Sequence, residues 1–123
     1  MGPFKDGWTE SQVEEVIERN SIDEVLYAPI VVSMDPPSFE WSNAVCLKLC
    51  EHPDETVRGN AILGFGHLAR TCGRVSSSAI EKVREAFLDE SNYVQGHAID
   101  AKDDIEHFTK MKINSEQGSG SKG

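Results

Sequence analysis

Apolar residues recur along the chain at the three- and four-residue spacing of amphipathic helices. In the clearest case, near the C-terminal end, they are spaced 4, 3, 4 and 3 residues apart and would form one buried stripe. The stripe consists of Val94, Ala98, Ala101, Ile105 and Phe108. The β-branched run at residues 30–32 has no second run with which to pair as strands. The pattern therefore predicts an all-α protein.

Polar residues that favour helix starts stand in front of the amphipathic segments. They are Thr9, Ser21, Ser38 and Ser78. All but Ser38 are followed three residues later by a Gln or Glu, which is the spacing of a capping box. The caps and the apolar spacing predict six helices, at 9–19, 21–34, 38–51, 54–71, 77–88 and 91–112. We expect a kink or a restart at Pro29, because proline lacks an amide hydrogen and crowds the preceding turn.

One segment of the sequence occurs twice. Residues 57–62, Val-Arg-Gly-Asn-Ala-Ile, return at residues 94–99 as Val-Gln-Gly-His-Ala-Ile, an offset of 37. The same offset aligns further apolar positions, Cys46 with Val83, Leu49 with Ala86 and Cys50 with Phe87. A period of this length with two helices per unit is typical of helical solenoids, in which each pair buries its apolar face against the next.

At these aligned positions the chain resembles the HEAT family of helical repeats. The family has an apolar first helix, an acidic turn, and Val-Arg followed by alanine at the start of the second helix. Residues 38–73 match this pattern with an apolar stripe at 46–50 and with Asp54, Val57, Arg58 and Ala61. The unit at 76–112 matches it with Asp89, Val94 and Ala98, and has Gln95 in place of the arginine.

The resemblance implies a short right-handed α-solenoid of about three antiparallel helix pairs. Residues 9–34 would supply a degenerate first pair, so that residues 1–113 form a single helical-repeat domain. Residues 114–123 are rich in glycine and serine, and we expect them to be a flexible C-terminal tail.

The chain is acidic, with 21 acidic and 12 basic side chains and a formal net charge of −9. Such a charge repels nucleic acids and anionic membranes, and favours a basic protein as the partner. The sequence contains neither a signal-peptide pattern nor the roughly 18 consecutive apolar residues of a membrane helix. Three cysteines, an odd number, argue against a disulfide framework. We expect a cytoplasmic protein with reduced cysteines.

The polar face of the last predicted helix is the candidate binding surface. In a solenoid it would lie beside the polar face of the fourth helix, so that both form one surface. The candidate partner-binding residues are Tyr93, His97, Asp100, Asp103, Asp104, His107, Asn60, His67 and Arg70. Tyrosine is a frequent interface anchor and carboxylates accept hydrogen bonds from Arg or Lys, while Gly59 and Gly66 would let a partner approach the backbone. A charged stripe is also typical of a plain solvated face, and this alternative stays open.

Three patterns resemble catalytic or ligand-binding motifs. Residues 64–69, Gly-Phe-Gly-His-Leu-Ala, have the letters of a dinucleotide fingerprint, but that motif must follow a strand and here falls within a helix. The carboxylates and His107 within residues 100–107 could share a metal only with a ligand from another helix, such as His67. Cys46 and Cys50 align with apolar residues and should be buried, whereas Cys72 should be more exposed and lacks an activating base. We therefore expect no cofactor, no metal and no catalytic residues.

A short, acidic, helical-repeat protein without a catalytic set resembles the bacterial immunity proteins of contact-dependent growth inhibition and other polymorphic toxin systems. The resemblance implies one basic toxin domain as partner, commonly a nuclease, whose active cleft is plugged by acidic side chains. Two alternatives stay open. A HEAT-like enzyme or enzyme subunit of the chromophore lyase type would have a deep apolar pocket lined by His67 or Cys72. A general scaffold would bind several partners. A HEAT-like glycosylase is disfavoured because its surface must be basic to hold DNA.

Overall fold

The computed structural model describes residues 2–113 and shows this part of the chain to be helical, without strands. A short 3-10 turn at Gly2–Phe4 precedes seven α-helices. These are α1 (Glu10–Arg19), α2 (Ile22–Val25), α3 (Ala28–Met34), α4 (Phe39–Leu49), α5 (Glu55–Cys72), α6 (Ser77–Ala86) and α7 (Asn92–Thr109). The all-α prediction is confirmed. The predicted tail at 114–123 lies outside the described residues.

The predicted second helix is divided into α2 and α3. Helix α3 begins at Ala28, and Pro29 lies in its first turn, where the missing amide hydrogen costs no helical hydrogen bond. The predicted restart at this proline is confirmed.

Three of the four predicted residues are N-caps, and two of these three form a side-chain capping hydrogen bond. Thr9 forms a complete capping box, and the Ser38 hydroxyl accepts a hydrogen bond from the Trp41 amide. Ser21 is the N-cap of α2, as predicted, but it forms no capping box: its hydroxyl accepts no helix amide and donates to the Asp23 carboxylate at 2.7 Å. At α6 the cap is Ser76 and not Ser78, because α6 begins at the residue that follows Ser76.

Helices α5 and α7 are equivalent at both ends. Each has 18 residues, and their first residues, Glu55 and Asn92, are 37 positions apart. Asp54 caps α5 by accepting from the Val57 amide at 3.1 Å, and Ser91 caps α7 by accepting from the Val94 amide at 3.3 Å. Each helix is followed by a C-cap residue with a positive φ angle. This residue is Gly73 (71°) after α5 and Lys110 (64°) after α7. The structural offset therefore equals the offset of the repeated sequence.

Gln95, at the position equivalent to Arg58, makes a hydrogen bond equivalent to one of those made by Arg58. Arg58 Nη1 donates to the backbone carbonyl of His52 at 3.2 Å, and Gln95 Nε2 donates to the carbonyl of Asp89 at 2.5 Å. The donors are 37 residues apart, and so are the acceptors. Each side chain therefore ties the start of its own helix to the preceding turn.

Helix α5 lies at the centre of the fold and packs against α7, α3 and α4, while α6 packs against α7, α5 and α4. Four of the five residues in the predicted stripe of the last helix are buried, but Phe108 is 40% exposed and its prediction is wrong. The chain turns at Lys110, and Ile113 closes this end of the core instead, at 3% exposure. Its amide donates to the Glu106 carboxylate at 2.8 Å. None of the described helices combines the length and the apolar composition needed to cross a bilayer.

Candidate functional site

Gly59 and Gly66 of α5 allow close approach of α7 and not of a partner. A Cβ atom on Gly59 would lie 2.7 Å from Cδ2 of the Tyr93 ring, and one on Gly66 would lie 3.0 Å from the Cα atom of Ala101. Both glycines are buried. The expectation that they open the backbone to a partner is therefore wrong, because α7 already fills the space above them.

Asn60 is a buried link between three parts of the fold. Its side-chain amide donates to the backbone carbonyl of Leu26 at 2.9 Å, and its carbonyl oxygen accepts from the Tyr93 hydroxyl at 2.6 Å. Only 4% of the residue is exposed. The prediction that Asn60 is a surface contact is wrong, because both polar atoms of its side chain bind the protein itself.

Tyr93 and His97 form an aromatic pair on one side of α7. Their ring centroids are 4.3 Å apart and the rings are tilted by 39°. Tyr93 is 39% exposed although its hydroxyl is held by Asn60. Burial raises the pKa of Tyr93 and lowers the pKa of His97, which the nearby Asp100 carboxylate partly opposes. At neutral pH the pair is therefore uncharged, and the hydrogen bond to Asn60 fixes the orientation of the Tyr93 ring.

His67 is half-buried and contacts α3. Its Nδ1 atom lies 3.1 Å from the Ser33 hydroxyl, which itself donates to the Pro29 carbonyl at 2.6 Å. Since that hydroxyl has a single hydrogen, Nδ1 must carry the proton and donate, and Nε2 keeps a free lone pair. Burial is the main cause that lowers the pKa of His67, and Arg70 acts in the same direction, while Asp104 opposes them. His67 is therefore a neutral acceptor close to Arg70 and Asp104.

The aspartates of α7 differ in exposure, and none of them has a counter-ion among the described residues. Asp100 and Asp103 are exposed, and Asp104 is half-buried beside Gly66. Within residues 2–113 none of the three forms a salt bridge, and neither does the exposed Arg70. These carboxylates are consequently available to groups from outside the protein.

His107 lies further along α7 and is exposed, with its ring set edge-on against Phe108 at a centroid distance of 4.6 Å.

The described part of the chain contains no group of three or more His, Cys, Asp or Glu side chains that could hold a metal. The segment 64–69 lies inside α5, where a Cβ atom on Gly64 would lie 2.7 Å from Cys46 Sγ. The space beside Gly64, which a dinucleotide would need, is thus filled by the side chain of Cys46.

Two of the three cysteines are buried, as predicted. Cys46 and Cys50 are 0% and 7% exposed, and burial raises the pKa of both thiols, that of Cys50 to about 12. Both remain protonated at neutral pH and are poor nucleophiles. Cys72, at the last position of α5, is partly exposed, also as predicted.

Residues in and before α3 position two side chains of the candidate site, and the sequence did not indicate these contacts. Ser33 orients the His67 ring, and the Leu26 carbonyl before α3 holds Asn60. A serine that follows the apolar run at 30–32 was the available signal, because a buried serine needs a polar neighbour. Its neighbour is 34 residues away along the chain, however, and only the packing of α3 on α5 brings the two together.

Comparisons with models of protein families, with curated proteins and with solved structures found no match to this chain.

Proposed function

We propose that the chain is a non-enzymatic immunity protein that binds and neutralises a basic toxin domain. The contact surface is the α7 stripe, formed by Tyr93, His97, Asp100 and Asp104. The observation that carries this proposal is that, within residues 2–113, Asp100 and Asp104 form no salt bridge and follow the Tyr93–His97 aromatic pair along α7.

The chemistry of the α7 stripe fits lysine and arginine side chains. Carboxylates form strong charge-assisted hydrogen bonds with both cations, and guanidinium groups also stack on aromatic rings. The rings of the stripe are held by the Tyr93–Asn60 hydrogen bond, so that little side-chain entropy is lost on binding. The net charge of −9 would attract a basic partner over a distance and increase the association rate.

The proposed architecture is a right-handed solenoid of helix pairs, with α3, α5 and α7 as successive second helices. The packing of α5 between α3 and α7 supports this arrangement, and so do the equivalent caps of α5 and α7. In such an array the α7 stripe belongs to the third unit. Its exposed side chains, Tyr93 and Asp100, would contact the partner.

The lyase alternative receives less support from the position of its candidate residues. One pocket lies between α1 and α4, and another lies between the α4–α5 and α6–α7 units. Neither is lined by His67 or Cys72. In addition, His67 faces α3 through Nδ1, and its remaining acceptor lies among charged groups instead of in an apolar cavity.

The test begins with the genes next to the one that encodes this chain, from which a small basic domain is taken as the candidate toxin. Its affinity for the chain is measured by calorimetry at low and high salt, and its toxicity is measured with and without the chain. We expect the affinity to fall as salt rises. The double variant Asp100→Asn/Asp104→Asn should bind at least about tenfold more weakly, which corresponds to about 1.4 kcal/mol.

The matched control is the double variant Glu15→Gln/Glu90→Gln, which removes the same charge from exposed positions outside the stripe. It should retain the affinity to within about threefold, because distant surface charges are screened. Equal losses in the two double variants would show that only net charge matters and would contradict the proposed contact. An affinity that does not depend on salt would contradict the electrostatic mechanism.

A further inference from the structure

A groove separates α1 from α4, on helices that do not belong to the α7 stripe. Its volume is about 470 Å³, and it is lined by Glu14, Ile17, Glu18, Trp41, Ala44, Val45 and Lys48. A second pocket adjoins it and shares Ile17, Glu18 and Lys48 with it. The two pockets together form one groove that follows α4 from Trp41 to Leu49, a distance of about 12 Å at the helical rise per residue.

The groove is closed at each end by a hydrogen bond between α1 and the α4 region. At one end the Trp41 indole donates to the Glu14 carboxylate at 3.1 Å. At the other end His52 Nε2 and Asn20 Oδ1 are 2.6 Å apart. Because His52 Nδ1 accepts from the Asp54 amide at 2.9 Å, Nε2 must carry the proton and donate to Asn20. These two hydrogen bonds link α1 to the α4 region on either side of the groove.

The floor of the groove is apolar. Val45 and Ile17 belong to the core, or pack against it, and turn one side to the groove. Trp41 stacks on Trp8 with a centroid distance of 6.1 Å and an angle of 19°, which fixes the orientation of the indole. An apolar side chain that entered here would contact carbon atoms on both helices and lose its contact with water.

The rim of the groove has opposite charges on its two sides. Glu14 and Glu18 line the α1 side, one helical turn apart. The α4 side carries Lys48, and Glu51, which is paired with Lys82, lines the second pocket after α4. Within residues 2–113 Glu14, Glu18 and Lys48 form no salt bridge. A bound segment would therefore place its basic residues over α1.

We propose that this groove binds a short basic amphipathic helix of another protein. A length of about 12 Å corresponds to about two helical turns, which present apolar anchors at spacings of three and four residues. These anchors would lie between Ile17 and Val45, and lysines or arginines on the flank would pair with Glu14 and Glu18. A second copy of this chain is a poor occupant, because its net charge of −9 would repel the acidic rim. The groove is a binding site separate from the α7 stripe and does not depend on the proposed function.

The test uses a fluorescein-labelled helical peptide of leucines at the anchor positions and lysines elsewhere. A second peptide, with glutamates in place of the lysines, serves as the comparison. Binding is measured by fluorescence anisotropy and located by NMR, with the indole N–H signals of the chain's two tryptophans as reporters. We expect the lysine peptide to bind, to shift the Trp41 indole and the Ala44 amide, and to leave the Tyr93 amide unchanged. The glutamate peptide should bind at least about tenfold more weakly.

Two variants test the location of the peptide. Ala44→Arg, at an exposed position, fills the groove and repels a basic helix, and Glu18→Lys reverses the charge of the rim. Each should weaken peptide binding at least about tenfold. Two controls should leave it unchanged to within about twofold: Ser78→Arg, which adds the same side chain to an exposed position of α6, and the double variant Asp100→Asn/Asp104→Asn.

Three outcomes would overturn the proposal. These are absence of binding by the lysine peptide, equal affinity for the two peptides, and NMR shifts centred on α7 while Trp41 is unchanged. The result does not depend on the toxin experiment, because the variants of the α7 stripe serve here as controls.

Discussion

Arg58 and Asp89 form a bidentate salt bridge that connects the start of α5 to the turn between α6 and α7. Nε lies 2.8 Å from one carboxylate oxygen and Nη2 lies 2.8 Å from the other. The two side chains are only 17% and 16% exposed. Together with the hydrogen bond from Arg58 to the His52 carbonyl, the pair links consecutive repeat units through one guanidinium group.

We expect Asp89→Asn to lower the free energy of unfolding by about 2–3 kcal/mol at neutral pH, because it leaves a partly buried guanidinium without its counter-ion. The Arg58 hydrogen bonds lower the pKa of Asp89 below its ordinary value of 3.8. The stabilisation is therefore present above pH 3.8 and is lost as the pH falls through the lower folded pKa. Urea denaturation at several pH values should show the wild type and the variant converging in acid.

The exposed pair Arg74–Glu40 serves as the control for this salt bridge, with side chains 57% and 74% exposed. Glu40→Gln should change the free energy of unfolding by less than about 0.5 kcal/mol, because water screens the pair. Equal effects of the two substitutions would contradict a structural role specific to Asp89.

Gly59 and Gly96 occupy equivalent positions in the two units and should respond in opposite directions to alanine. A Cβ atom at Gly59 would lie within 2.8 Å of two Tyr93 ring atoms, whereas nothing lies within 4 Å of one at Gly96. Gly59→Ala should destabilise the fold by about 1–3 kcal/mol through forced displacement of the ring. Gly96→Ala should stabilise it by about 0.5–1 kcal/mol through helix propensity. Thermal denaturation measures both, and a stabilising Gly59→Ala would contradict the close contact with Tyr93.

Asn60 and Tyr93 should be energetically coupled. Tyr93→Phe removes one hydrogen bond and should cost about 1 kcal/mol, whereas Asn60→Ala also leaves the Leu26 carbonyl without its donor and should cost about 2–3 kcal/mol. A double-mutant cycle measured by chemical denaturation should give a coupling energy of at least about 0.5 kcal/mol. Strict additivity would mean that the hydrogen bond contributes nothing to stability.

His67 should make the stability of the protein sensitive to mild acid. Burial lowers the pKa of His67 from its ordinary value of 6.5, so that below pH 6.5 the unfolded chain binds a proton more readily than the folded protein. The neutral His67 ring therefore makes its full contribution to the stability of the fold above pH 6.5. This contribution is lost as the pH falls through the lower pKa of the folded protein. NMR titration of the ring protons should give a folded pKa below 6.5.

The variant His67→Gln should reduce the loss of stability between pH 7 and pH 5. His97→Gln is the necessary companion, since burial also lowers the pKa of His97. If His67→Gln left the pH dependence of unfolding unchanged, His97 or another group would have to account for it.

The helices and the repeat could be predicted from the sequence because they depend on local preferences. The 37-residue offset predicted from residues 57–62 and 94–99 is also the offset between the starts of α5 and α7. Ser21 is the N-cap of α2, but its hydroxyl forms no capping hydrogen bond and donates to the carboxylate of Asp23. The end of the last helix was placed too late, because Lys110 adopts a left-handed conformation that its residue type does not favour.

The candidate site could be predicted only in part. Tyr93, Asp100, Asp103 and His107 are exposed on α7, as helical periodicity indicated. On α5 the same periodicity was misleading, because a central helix is covered on more than one side. Asn60 is covered in this way and lies inside the protein.

The sequence by itself determined the helical class, most helix bounds, the equivalence of two units and the burial of Cys46 and Cys50. Each of these follows from spacing and side-chain type within one unit. Only the tertiary structure decided that Asn60 joins Tyr93 to Leu26, that Arg58 binds Asp89, and that a groove lies between α1 and α4. These features depend on contacts between residues 27–34 positions apart, and such contacts exist only after the helices have packed.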